Sequence, residues 1–337
     1  MAVVGDLFLD KYLDLDSSLT EVSVETGLEA YQIAKVRCYP GAGGTVLNNL
    51  RALGVGTLHA VSVLGDDGEG YELLRALRDA NVNTDAVIVR PDRMTPTYTK
   101  PMLSQPAGPA RELNRLDIKN RSAALAGQDR DVISKLDQLT GHVDAVIVAD
   151  QVTERNQGVI TDTVREHLAR LASQYPKCVF FADSRRHIGL FKNCLAKPNR
   201  SELLAAVSTT AATATSSSSD YPDVRAAAGE LSRRTGRAVF ATVGPDGILF
   251  VDGQSCSHIP GVPVTGPIDI VGAGDSTTAG IVSGLCAGAT PEQAAHLGCL
   301  VASITIEQLG VTGTASPDQV LSRLREATAK RSTARPR

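Results

Sequence analysis

Short apolar runs rich in β-branched and aromatic residues recur along this 337-residue chain, and amphipathic stretches of helical length separate them. The apolar runs are 3–8 (VVGDLF), 58–65, 85–90, 144–150 (DAVIVAD), 178–183 (CVFFAD), 238–244 and 247–253. Helices are expected over 43–53, 68–80, 157–174, 223–235, 275–288, 291–308 and 317–329. Strands that are apolar on both faces and alternate with helices build βαβ units, hence a mostly parallel sheet covered on both sides. The expected fold class is α/β, with a three-layer α/β/α core. Two boundaries have mechanisms of their own. Ser316-Pro317 with Gln319 supplies an N-cap, a proline at the first helical position and a capping-box partner. Gly244-Pro245-Asp246-Gly247 is a turn between two strands, so an antiparallel excursion follows the parallel part.

Residues 10–40 and 88–118 break the alternation: they are strand-like, polar and too poor in apolar residues for a core of their own. They are expected to pair as a small β lid that closes over ligand and excludes water, with 1–9, 41–87 and 119–329 forming the core. The low-complexity tract 208–219 reads as a flexible surface loop, and 330–337 as a disordered tail.

Composition narrows the function classes. A hydrophobic share of 42% is ordinary for a globular domain with a full core. The net charge of −3 gives no electrostatic reason to expect nucleic acid or an anionic membrane as partner. The six cysteines are scattered without a CxxC pair and no apolar run reaches 18 residues, so a reduced, cytoplasmic protein is expected. His187, His258 and His296 lie far apart in sequence without a second ligand at metal spacing. Asp6 and Asp10 interrupt the N-terminal apolar run, which reads as a buried first strand rather than a secretion signal. Its abrupt start leaves room for residues upstream of Met1 in the natural chain.

The stretch PIDIVGAGDSTTAGIVSGL (267–285) carries the strongest chemical signal. Amides at a helix N-terminus are open donors that favour negative charge, and glycine lets a phosphate come close to them. A carboxylate placed there repels that phosphate unless it has separate work, and taking a proton from an attacking hydroxyl is such work. Gly272, Ala273 and Gly274 thus read as an anion hole with Asp275 as a general base; alternatively Asp275 is an ordinary helix cap. Asn199-x-x-Glu202 (in AKPNRSEL) at a helix start has the same two readings, a capping arrangement or a holder of hydrated Mg²⁺. Glycines also precede the helix in GGTVLNNLRALG (43–54), but GxGxxG spacing and a Walker loop are both absent. Phosphoryl transfer must then be carried on another scaffold.

Read in order, VVGDLFLDKY, YPGAGGTVLNNLRALG, VLGDDGEG, KPNRSE, ATVGPDGILF and DIVGAGDSTTAG resemble the ribokinase-like (PfkB) sugar kinases across nearly the whole chain. GDLFLDKY, LNRLD (113–117) and VASITIEQLGVTG (301–313) are similar to the branch of heptose-7-phosphate kinases. The resemblance implies a ribokinase-like fold and an ATP-dependent sugar or sugar-phosphate kinase that uses Mg²⁺. It makes Asp275 the base and residues 272–274 the hole for the moving phosphoryl group. Asn199 and Glu202 would organise Mg²⁺ through water, and Thr242, Gly244 and Gly247 would line the nucleotide site. Asp6, Asp10, Gly41, Gly43 and Gly44 would hold sugar hydroxyls, and the lid would form a homodimer contact. Thr45 stands where the family usually has Asn, with Asn49 one turn further on, and both join the residues expected to hold sugar; Ile270 stands where Thr is usual. FADSRRHIGLF (181–191) replaces a lysine-containing loop of the heptose branch. Arg185 and Arg186 from that loop, and Lys100 from the lid, are candidates to grip a phosphate already on the substrate, or else are solvated surface charges. A sugar- or nucleotide-binding protein with little or no catalysis is the alternative, motivated by Thr45.

Overall fold

The computed structural model of the protein describes residues 1–105, 110–123, 127–207 and 221–333, so the tract 208–219 and the last four residues of the tail lie outside the described residues. The strands are β1 (Ala2–Gly5), β2 (Leu7–Val22), β3 (Glu29–Ala42), β4 (His59–Gly65), β5 (Asn83–Arg90), β6 (Thr97–Leu103), β7 (Arg111–Glu112) and β8 (Leu116–Ile118). After them come β9 (Ala145–Asp150), β10 (Val179–Ser184), β11 (Leu195–Ala196), β12 (Val239–Thr242), β13 (Gly247–Asp252) and β14 (Ser255–Pro260). The helices are α1 (Gly43–Ala52), α2 (Gly68–Asp79), α3 (Gln128–Thr140), α4 (Asp162–Gln174) and α5 (Arg200–Val207), then α6 (Pro222–Thr235), α7 (Ala273–Cys286), α8 (Pro291–Thr305) and α9 (Pro317–Thr333).

Nine strands form the main sheet in the order β14-β13-β12-β11-β10-β9-β1-β4-β5. Strands β12 to β5 along this path run parallel, and β13 and β14 add to the edge antiparallel. The central strand β9 shows why the sheet is covered twice. Val146 and Val148 point into one apolar layer with Val164, Leu168 and Leu231, whereas Ala145, Ile147 and Ala149 join the other with Leu47, Leu73 and Ile281. Period-two alternation with both faces apolar leaves no face for water. Phe181, Phe240 and Leu47 are fully buried, and each such side chain contributes roughly 1.5–3 kcal/mol.

A second sheet has the order β3-β2-β6-β7, with β8 also paired to β6. The first apolar run divides between the two sheets. Gly5 closes β1 at φ +139°, where a Cβ would sit 2.1 Å from the Ala149 carbonyl oxygen, so only glycine fits the crossing. Residues 7–9 and 41–42 thus belong to the second sheet, and residues 88–90 end β5 in the main one.

Two elements depart from the sequence reading by appearing unannounced. The α3 sequence QDRDVISKLDQLT is mostly polar, yet Val132 and Leu136, four apart, are fully buried beneath it. The polar β14 pairs by backbone along the whole of β13. Helix α4 begins at 162 rather than 157 because the Thr161 hydroxyl caps the Val164 amide at 3.2 Å. The box at Ser316 and Gln319 forms as expected, and α9 continues to Thr333. No helix among the described residues is long and apolar enough to cross a membrane.

Candidate active site

At the C-terminal ends of the central strands a cleft of about 1780 Å³ opens between the two sheets. Open parallel sheets place ligands there. The second sheet supplies one wall through Phe8, Asp10, Tyr98 and Lys100. Phe8 and Asp10 share a face because they are two apart on β2, and the β2–β6 register sets Asp10 beside Tyr98. The opposite end is built by the β12–β13 turn and by α5, including Asn199, Thr242, Gly244 and Gly247.

The first turn of α7 lies between these ends. Gly272 is its N-cap at φ +80°, a conformation that turns the chain sharply into the helix, and a Cβ there would lie 3.3 Å from Thr45 Cγ2. The Ala273 amide donates to the Ile270 carbonyl at 3.1 Å, which leaves those of Gly274 and Asp275 as the first-turn donors facing the cleft. Burial, and then the nearby Asp183 carboxylate, push Asp275 up to about 7, although Lys197 and Arg185 pull the other way. That value suits a base working near neutral pH.

Lys197 and Asp183 are site residues that the sequence reading missed. Lys197 Nζ sits 2.9 Å from Asp183 Oδ2, and a Cβ on Gly274 would lie 3.6 Å from that same ammonium. Burial works against the lysine's charge, but Asp183 outweighs it and holds the ammonium above its ordinary pKa. Thr278 Oγ1 donates to the same Asp183 oxygen at 3.0 Å. Nothing in the sequence marks the pair, because 183, 197 and 278 meet only through the strand order β11-β10 and the packing of α7 upon it.

Asn199 and Glu202 form a reciprocal cap. The Glu202 amide donates to Asn199 Oδ1 at 2.9 Å, and the Asn199 amide donates to Glu202 Oε2 at 2.8 Å. Burial raises the Glu202 pKa, opposed by that amide and reinforced by Asp183. The capping geometry and a cleft-facing carboxylate therefore coexist. Among the described residues no group of three or more His, Cys, Asp or Glu converges on a metal position. A hydrated cation beside Glu202 would relieve the crowding of Glu202, Asp183 and Asp275.

Five residues expected to hold sugar are not on the cleft. Asp6 is 3% exposed, and its two oxygens accept from the amides of Val159 (2.8 Å), Gln151 (2.8 Å) and Val152 (2.9 Å). Burial and Asp150 raise its pKa to about 6 while those amides lower it. It clamps the loop after β9. Asn49 is fully buried and donates to the carbonyls of Thr45 (3.0 Å) and Gly313 (3.3 Å). Gly41, Gly43 and Gly44 make room for the Asp10 carboxylate, for Leu7 and Ala149, and for Pro40 respectively. Thr45, 2% exposed, does reach the cleft, as do Asp10, Lys100 and Arg185. Arg186 is exposed and does not line it. Arg115 and Gln151 line it without having been singled out by sequence.

Solved structures share this fold along almost the whole chain. Phosphofructokinase-2 from Escherichia coli superposes with a TM-score of 0.70 at 20% identity, covering 97% of this chain and 99% of that one. Ribokinase from Arabidopsis thaliana, solved with ribose and ATP, gives a TM-score of 0.68 at 17% identity, covering 96% and 98%. The fold is thus that of the ribokinase-like α/β kinases, a mostly parallel sheet with a smaller second sheet over the cleft.

The sequence agrees: the model of the pfkB family of carbohydrate kinases matches residues 16–319. The chain belongs to that family, whose members are ATP-dependent sugar kinases. Among curated relatives it is 28% identical over 325 residues to the bifunctional protein HldE of Citrifermentans bemidjiense and 29% identical over 328 residues to that of Pelobacter propionicus. Each alignment takes in 95% of this chain but only 62% of the relative, so the chain spans less than two thirds of their length.

Proposed function

We propose that this chain transfers the γ-phosphoryl group of ATP to a hydroxyl of a sugar phosphate, heptose 7-phosphate being the first candidate acceptor. The observation that carries the reading is Asp275, a carboxyl pushed up to about 7 in the first turn of α7, beside open amides and a buried lysine. Asp275 takes the proton of the acceptor hydroxyl as its oxygen bonds to the γ-phosphorus, while the bond from that phosphorus to the β–γ bridging oxygen breaks and ADP leaves. Charge on the moving group meets the amides of Gly274 and Asp275 and the Lys197 ammonium, and such prearranged donors supply most of the catalysis in this chemistry. Asn199 and Glu202 would hold Mg²⁺ through water, and the ion would offset phosphate charge. Thr242, Gly244 and Gly247 form the nucleotide end; Asp10, Thr45 and Lys100 form the acceptor end under the second sheet, which acts as a lid.

Heptose 7-phosphate is supported by the likeness to HldE proteins and by cleft cations on the acceptor side. Turnover measured as ADP release over a panel of sugars and sugar phosphates tests the reading. Asp275→Asn is expected to lower kcat by about 10²–10⁴, the range for a lost general base, while ADP still binds. Undiminished turnover in that variant overturns the base assignment. Ligand binding without turnover by the unmutated protein would favour the binding-protein reading that Thr45 motivates.

The lid also offers a dimer contact, since Ile33 and Val36 on β3 are half exposed. A single monomeric species at micromolar concentration in sedimentation would refute it.

A further inference from the structure

Five cations line the cleft, and four of them already face a carboxylate. Lys100 lies 3.4 Å from Asp10, Arg115 2.7 Å from Asp117, Lys197 2.9 Å from Asp183 and Arg200 2.7 Å from Asp223. Arg185 differs. Its Nε donates to the side-chain oxygen of Gln151 at 3.1 Å, and among the described residues no carboxylate lies within salt-bridge distance of its guanidinium. A guanidinium held by a neutral amide is oriented without being neutralised, so its two Nη groups stay available for an anion in a two-pronged contact.

The orienting residue is itself fixed from below. Gln151 follows directly on β9, and its backbone amide is one of the three taken by the buried Asp6 carboxylate. Beside it, Asp150 is 2% exposed, accepts from Ser184 Oγ at 2.7 Å and lies 3.5 Å from the buried Arg165 guanidinium. The Arg185 amide donates to the Asp150 carbonyl at 3.0 Å, so both backbone and side chain of Arg185 are registered on residues 150–151. In the sheet, β9 and β10 stand between the nucleotide end at β11–β13 and the lid strand that continues from β1. This puts the pair between the two ends of the cleft, close enough for the Arg185 charge to act on both Glu202 and Asp275 without an ion pair to either.

We propose that Gln151 is a positioning residue that aims an un-neutralised Arg185 at an anionic group carried by the acceptor, and that it thereby selects phosphorylated over plain sugars. The inference rests on the kinase reading, which defines the acceptor.

Gln151→Ala and Gln151→Glu are compared with the unmutated protein, using sedoheptulose 7-phosphate and its unphosphorylated parent as acceptors. Losing the orienting hydrogen bond is expected to raise KM for the phosphorylated acceptor about 3–10-fold, with kcat, the ATP KM and the KM for the plain sugar little changed. Gln151→Glu keeps the hydrogen bond but gives Arg185 the carboxylate its neighbours have, so it is expected to weaken the phosphorylated acceptor more than Gln151→Ala does. A structural role alone predicts the reverse order. A rise in the ATP KM, or equal losses for both acceptors, overturns the proposal. Should the unmutated protein phosphorylate neither sugar, the choice of acceptor fails separately, and calorimetric titration of the same three proteins with sedoheptulose 7-phosphate still decides this one. A loss of affinity in the order unmutated, Ala, Glu supports it, and equal affinities refute it.

Discussion

Lys197 Nζ and Asp183 Oδ2 stand 2.9 Å apart, with side chains 4% and 11% exposed, directly behind the helix turn that carries Asp275. Opposite charges this deep are costly to bring together and costlier to separate, because removing one partner strands the other in a place water cannot reach. Asp183 is also tied to α7 through Thr278, so the pair links the sheet to the helix that carries Asp275.

Asp183→Asn is therefore expected to lose about 3–5 kcal/mol of unfolding free energy, the range for breaking a buried pair. The double variant Asp183→Asn with Lys197→Met, which strands no charge, is expected to recover part of that loss while turnover stays low. Urea unfolding of the single and double variants measures it. Equal stability for both would mean that the pair is effectively solvated.

Asp275 gives a pH dependence whose two parts have opposite directions. A base must be ionised, so kcat/KM is expected to fall tenfold per pH unit below about 7, the value to which burial and Asp183 bring this carboxyl. For stability the sign reverses. The folded state holds a proton that the unfolded chain, at the ordinary aspartate value of 3.8, has already released. Stability from this group is thus present at acidic pH, declines as pH rises from about 4 to 7, and is level above that. Asp275→Asn is expected to be more stable than the unmutated protein at pH 8 and to lose that advantage towards pH 4. A rate profile flat from pH 5.5 to 8 would count against the raised pKa.

Much of the core was legible because local pattern decides it. DAVIVAD is apolar at every position except its ends, and a run this short and rich in β-branched residues fits a strand covered on both faces. The α7 turn was legible because Gly272, Ala273, Gly274 and Asp275 are contiguous. What escaped was nonlocal. Asp183 and Lys197 each look like a charge at the end of an apolar run until β10 and β11 pair. Asp6 is a case of the same kind: in sequence it is a carboxylate near the family's sugar-binding motif, and only the fold shows that it accepts from three amides of residues 151–159. Helix α3 was hidden by charge, since its buried stripe is narrow.

That clamp is testable. Asp6→Asn leaves one acceptor oxygen where two are used and turns an amide NH₂ towards a backbone donor. The cost is expected to be about 1–3 kcal/mol for the unsatisfied groups. Hydrogen exchange should quicken at Gln151, Val152 and Val159 while α7 stays protected. Uniform acceleration across the sheet would instead mean that Asp6 supports the whole fold rather than one loop.

Ala42 closes the set. It ends β3 and caps α1 with φ 54° and ψ −121°, a backbone state in which a Cβ collides with its own peptide and which glycine alone adopts readily. Strain of this kind costs about 1–3 kcal/mol and survives only where surrounding structure fixes it. Here Gly43 donates to the Asp6 carbonyl at 3.0 Å, and Leu7 pairs with Ala42 across the sheet, so the conformation is imposed from both sides. Ala42→Gly removes the strain but adds about 0.5–1 kcal/mol of chain entropy to the unfolded state. The net gain is expected to be about 1 kcal/mol, which raises Tm by roughly 1–3 °C in a domain of this size. Calorimetric melts of the two proteins measure it directly. A lower Tm for Ala42→Gly would show that the methyl group, which lines the cleft beside Thr45, packs well enough to outweigh its torsional cost.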